Sequence, residues 1–258
     1  MTLKIRMPEQ ILSDLDISEP AQIDLVRIAR SLGAKIKDRR LDGCEARIVG
    51  EGDRAIISID DRVSPHRRRF SIGHELGHWM CHRGQCLACP KESIGQGPAN
   101  GNAAEKMADR FAAQLLMPSA MVKKYSKEIN GLSLSMINHI AKTFDVSRSA
   151  AALRLVEMDI EPCILLKHKK SGSLPWRVVS KSVDKRWYPR LRVDSSSYAY
   201  EILHRKAADQ EEAVLSSAED WFDQDDAHQY EVLEQSFRSV DGEVFTLIKL
   251  VDEGMMAD

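Results

Sequence analysis

The stretch SIGHELGHWMCH, residues 71–82, constrains this chain more than any other part of it. His74 and His78 stand four residues apart, and residues 67–82 carry good helix formers without a proline. On a helix, residues i and i+4 lie one above the other, about 5 to 6 Å apart at Cβ, so both imidazoles can face one cation. Glu75 is turned from His74 by about 100° of helix, which sets its carboxylate on the flank, within reach of a water on the metal without crowding it. Zinc lowers the pKa of such a water to about 7, and a carboxylate beside it is the natural general base for attack on a polarised carbonyl. The plainer alternative is a solvated or core helix that merely carries two histidines; the metal reading requires a further ligand brought to this helix.

A catalytic zinc site needs a third protein ligand and an open fourth position. Residues 102–117, NAAEKMADRFAAQLLM, form a second helical pattern ended by Pro118. Ala108, Ala112 and Leu116 share the side of Glu105, while Lys106, Arg110 and Gln114 lie opposite. A carboxylate set in an apolar stripe is costly unless a cation meets it, and two alanines let this helix approach the one bearing the histidines. Glu105 is thus the expected third ligand; the plainer alternative is a buried ion pair with an arginine such as Arg68. His82 is the rival ligand. It extends the ladder 74, 78, 82, but the rotation accumulated over two turns and a helix end near Gly84 work against convergence, and a histidine in a last turn also gains from the helix dipole. Cys81, Cys86 and Cys89 offer, with His82, a separate closed zinc site or a redox-responsive cluster, although the second C-x-x-C knuckle of a zinc ribbon is missing.

With 258 residues the chain has room for one or two domains. Its 37 basic and 39 acidic side chains leave a formal charge of -2, so any nucleic-acid contact has to be local. No stretch approaches the roughly 18 apolar residues of a membrane span. The N-terminus lacks the apolar segment of a secretion signal, and five cysteines form an odd set suited to a reducing compartment. The expectation is a cytoplasmic protein without a membrane partner.

Along the chain, an amphipathic helix is expected over 20–32, after Ser18 and Pro20 and stopping at Gly33. A hairpin follows over 43–60. Its second strand, with Arg54, Ala55, Ile56, Ile57 and Ser58, is read as an exposed edge on which an extended peptide substrate pairs through the main chain; an interior strand is the alternative. Residues 90–101 read as a loop, and 132–158 as two helices broken near Asp145 with Ser147 as the second cap. After Glu161-Pro162 the pattern changes to alternating strands, with 195–218 helical and a closing hairpin turned at Asp241-Gly242. The expected division is 1–118, 119–160 and 161–258, the last being a sensor or partner-binding module.

RRRFSIGHELGHWMCH followed by AEKMADRFAAQLLMP resembles the ImmA/IrrE family of bacterial metallopeptidases, in both motifs and in their separation. The resemblance covers about 20–158, taking in the hairpin and the segment FDVSRSAAALRL. It implies an α+β fold: a zincin-like metallopeptidase domain, a following helix-turn-helix-like segment, and outside the resemblance a C-terminal α+β module. It implies Zn2+, or Mn2+ or another divalent cation, on His74, His78 and Glu105, with Glu75 as catalytic base. It also implies a protein substrate, a helix-turn-helix repressor of the Xre type, whose cleavage switches on mobile-element or stress-response genes. A histidine at the place of His82 is familiar in such members, whereas Cys86 and Cys89 are not a family mark. The other class of function is a DNA-binding or sensor regulator with a structural zinc, reading DNA with 132–158. SRSAAALRLVEM offers only Arg148 and Arg154 as phosphate contacts, so direct nucleic-acid binding is not expected.

Overall fold

The computed structural model of the chain describes residues 6–82, the backbone of 88–90, and residues 103–169, 176–190, 192–239 and 242–257. The fold is α+β, in two compact units: Met1–Tyr125 with Thr143–Val146, and Ser126–Lys142 with Ser147–Asp258. Residues 119–160 contribute to both. No helix among the described residues is long and apolar enough to cross a membrane.

The first unit runs α1 (Pro8–Asp14), α2 (Leu25–Ser31), β1 (Ala34–Arg39), β2 (Cys44–Glu51), β3 (Arg54–Asp60), α3 (Pro65–Cys81), β4 (Ala88–Pro90), α4 (Ala103–Leu116) and α5 (Ser119–Ser126). The helix expected over 20–32 starts later, because Pro20–Gln22 closes its own short turn with a Glu19 and Gln22 capping box. Asp24 then caps α2, accepting from Val26 N at 2.8 Å and Arg27 N at 3.2 Å, and Gly33 leaves the helix at φ +77°.

The strand order is β1-β3-β2-β4, with β3 parallel to β1 and antiparallel to β2. This corrects the expected edge. Ala55 lies between Ala34 and Gly50, and Ile57 between Ile36 and Ile48, so the main chain from Ala55 to Ser58 is flanked on both sides and has no room for an added peptide, while Arg54 is paired with Glu51 of β2 alone. The physical reason is the sheet's buried ridge: Ile57 and Ile59 are fully buried in β3, each worth about 1.5–3 kcal/mol in hydrophobic burial. Such a ridge favours a central position. The neighbour that fills the edge, β1, carries Ile36 among Lys35, Lys37, Asp38 and Arg39 and shows no apolar alternation. Across this ridge lies α3, whose Trp79 Nε1 donates to Leu32 O at 2.8 Å.

The second unit holds α6 (Leu134–Phe144, all but its last two residues), α7 (Arg148–Glu157), β5 (Cys163–His168), β6 (Trp176–Val179), α8 (Tyr198–Arg205), β7 (Val214–Ser217), β8 (Glu231–Arg238) and β9 (Val244–Leu250). The break between α6 and α7 falls at Asp145, φ +51°, and Ser147 caps α7 by accepting from Ala150 N at 3.2 Å. The antiparallel sheet β6-β5-β9-β8-β7 covers an aromatic core around Trp187, Trp221 and Phe222. The helix expected over 195–218 is confined to α8. It ends at Lys206, φ +59°, and the next residues bind β8 instead: Arg238 N donates to Asp209 Oδ1 at 2.8 Å and Ser236 N to Gln210 Oε1 at 2.9 Å. Tertiary pairing has replaced local helix propensity there. Asp241 of the closing hairpin lies outside the described residues, while Gly242 has φ +74°.

Candidate metal centre

Helix α3 begins with Pro65 at its first position, and every residue from Ser71 to Met80 is buried. It lies close to α4 because two of its residues have no side chain. A Cβ on Gly77 would sit 2.8 Å from Ala108 Cα, and one on Gly73 would sit 3.1 Å from Ala112 Cβ. The glycines of the first motif and the alanines of the second therefore form one close contact, and it carries Glu105 to the histidines.

Glu105 Oε2 is 3.3 Å from His74 Nε2, Glu105 Oε1 is 3.3 Å from His78 Nε2, and the two Nε2 atoms are 3.0 Å apart. All three side chains are buried, with ligand atoms within 4.8 Å of one another. His74 Nδ1 lies 2.8 Å from Asp109 Oδ1, so it carries the proton and donates it, which leaves a lone pair on Nε2. Burial, reinforced by His74, pushes His78 down from 6.5 to about 4 against the opposing pull of Glu105, so near neutral pH this imidazole is uncharged and its contact with Glu105 is not an ion pair. Two imidazoles and a carboxylate turned toward one point make a donor set that fits a divalent cation with a taste for nitrogen and oxygen, zinc among them. Glu75 is fully buried on the same turn of α3.

The sequence pattern of the Peptidase M78 family, described as the IrrE N-terminal-like domain, matches residues 23–156, just over half of the chain. The chain belongs to the Peptidase M78 family. Helices α3 and α4 with all three converging side chains lie inside the matched M78 region. A solved structure, a Mycobacterium tuberculosis transcriptional regulator, aligns with TM-score 0.59 at 14% identity, over 95% of this chain and 86% of that one. The likeness is one of fold. No curated protein matches the chain.

Arg68, the alternative partner for Glu105 in this M78 domain, is instead bound to Asp38 through bonds of 2.7 and 2.8 Å, and that guanidinium holds the Asp38 carboxyl below its ordinary range. His82 stands beside the trio rather than in it: its Nδ1 is 3.4 Å from His78 Nδ1. Cys81 is partly buried, which raises its thiol. Cys86 and the side chain of Cys89 lie outside the described residues. Sequence reasoning missed Asp109. It follows Glu105 by four residues, hence on the same side of α4, and a second acid on that stripe was the available signal.

Proposed function

We propose that this M78 protein is a zinc-dependent endopeptidase whose substrate is a helix-turn-helix repressor of the Xre type, cleaved to release mobile-element or stress-response genes. The observation that carries the reading is the convergence of His74, His78 and Glu105 from two helices, with Glu75 on the same turn. A divalent cation held by those three residues, zinc or alternatively Mn2+, supplies a Lewis acid that polarises the scissile carbonyl and acidifies water. Glu75 takes the proton of the attacking water and passes it to the leaving amine. Asp109 keeps His74 in the tautomer that presents Nε2. In this reading residues 1–118 carry the chemistry, 119–160 form the helix-turn-helix-like segment, and 161–258 sense a signal or bind a partner. The reaction takes place in the cytoplasm, where a repressor is found.

A second reading, a DNA-binding or sensor regulator with a structural metal, draws on the name of the Mycobacterium tuberculosis protein. The state of α7 weighs against it. Arg148 is engaged by Asp209 at 2.6 Å and by Arg238 O at 2.7 Å, and Arg154 is buried, so the two arginines offered for phosphate are occupied within the fold.

The test uses a purified helix-turn-helix repressor of the Xre type from the same organism, incubated with wild type and with Glu75→Gln at matched metal content. Cleavage by wild type alone is expected. Equal cleavage by Glu75→Gln contradicts the role of Glu75, and no cleavage by either contradicts this substrate.

A further inference from the structure

One face of the β1-β3-β2-β4 sheet turns its Ala55, Ile57 and Ile59 inward, and on that side Asp38 meets Arg68 of α3. The alternate residues of the same strands form the opposite face. In one row across it, Lys35, Ile56 and Val49 stand side by side; in the next, Lys37, Ser58 and Arg47. Val49 is 59% exposed and Ile56 40%, although both sit in regular strands where an aliphatic side chain is ordinarily covered. Beside them opens a groove of about 880 Å3, lined among others by Val26, Arg30, Lys35, Val49, Arg54 and Ile56. Val26 is itself 45% exposed.

The charge here runs against that of the whole chain. Lys35, Lys37, Arg39, Arg47 and Arg54 are all exposed, while the molecule carries a formal charge of -2. Of the acids at these alternate positions, Glu45 is bound by Arg67 and Asp60 is buried and held by Arg62 at 2.5 Å, which leaves Glu51, exposed at the rim of the groove and across from Arg54 in the strand register, as one acid against those five cations. An aliphatic strip bordered by cations is complementary to a segment that alternates aliphatic and acidic side chains: the strip removes apolar surface from water, and the border selects charge and speeds encounter. Single-stranded nucleic acid fits less well. It asks for aromatic side chains on which bases stack, and the residues of these two rows and of the groove include none.

We propose that this face is a docking surface for an acidic, aliphatic segment of the protein that the chain cleaves, a segment away from the scissile bond. The identity of that partner rests on the peptidase reading; the binding itself does not. Because the surface lies across the sheet from α3, it adds affinity for substrate without touching the metal ligands.

The test uses the full chain as Glu75→Gln, so that nothing is cleaved, and a fluorescein-labelled synthetic peptide of alternating leucine and glutamate, followed by anisotropy. The peptide should bind, with Lys35→Glu plus Arg54→Glu raising Kd by about tenfold or more and added salt doing the same. Ile56→Ser should raise it several-fold, which simple ion pairing would not. Circular dichroism confirms that each variant is folded, as expected for exposed positions. Unchanged affinity in the charge-reversed pair, a neutral Ile56→Ser, or tighter binding of oligodeoxythymidine than of the peptide overturns the proposal. If the peptide binds as expected while wild type leaves the repressor intact, the repressor is not the substrate and the docking surface stands.

Discussion

Asp109 Oδ1 lies 2.8 Å from His74 Nδ1 and so ties α4 to α3 at a second point, beyond the one Glu105 makes. A carboxylate can only accept, which keeps the imidazole proton on Nδ1 and raises the basicity of Nε2. Asp109→Asn keeps the volume but weakens this hold. The expected result is a cation affinity lower by about 10- to 100-fold, read by competition with a chromophoric chelator. Affinity equal to wild type would show that Asp109 does not orient a ligand.

Gly77→Ala tests the helix contact that brings Glu105 in. The added Cβ would meet Ala108 Cα at 2.8 Å, a backbone atom that cannot swing aside. Forced separation of α3 and α4 should cost about 1–3 kcal/mol and weaken cation binding at the same time. Lys106→Ala, on the exposed side of α4, serves as the control and should change neither. The measurements are urea unfolding and chelator competition on the same preparations.

Proline in β3 now carries a different expectation from the one an edge strand would give. Ala55 N donates to Gly33 O at 3.0 Å, and β3 is paired on both sides. Ala55→Pro removes that donor inside the sheet, at a cost of about 1–3 kcal/mol for the acceptor left behind. A fall in Tm should therefore accompany any loss of cleavage. A variant with parental Tm that fails only to cleave would restore the edge-strand view.

His168 gives the second unit a pH-dependent stability. It is 3% exposed at the end of β5, and among the described residues its Nε2 has no hydrogen-bond partner. Burial pushes it down from 6.5 to about 4. The unfolded chain therefore binds a proton near pH 6.5 that the folded chain refuses until about pH 4. Stability is complete above 6.5 and declines as the pH falls toward 4, by up to about 3 kcal/mol. His78 is depressed in the same direction and adds a slope of the same sign in the metal-free chain. The difference between wild type and His168→Phe across that window isolates His168. Parallel stability curves for the two proteins would contradict the assignment.

The centre was legible because helical geometry is local. His74 and His78 at i and i+4 need no knowledge of the rest of the chain, and Glu105 betrayed itself by lying among Ala108, Ala112 and Leu116. The break at Asp145 and the cap at Ser147 were legible for the same reason. What escaped depends on partners far away in sequence. Whether β3 is an edge is a property of the sheet order, set by β1, whose single Ile36 among charged neighbours gives no strand pattern. The segment after α8 has residues that suit a helix, yet Asp209 and Gln210 are drawn to β8 by hydrogen bonds that no local pattern announces.

The central claim is that His74, His78 and Glu105 hold the cation, and metal content tests it most directly. Wild type, His74→Ala, His78→Ala, Glu105→Ala and His82→Ala are purified alike, dialysed against a weak chelator, checked for folding by circular dichroism and analysed by plasma mass spectrometry. Wild type should retain one zinc per chain, His82→Ala most of it, and the other three almost none. Zinc retained in full by a folded Glu105→Ala and lost from a folded His82→Ala would contradict the account.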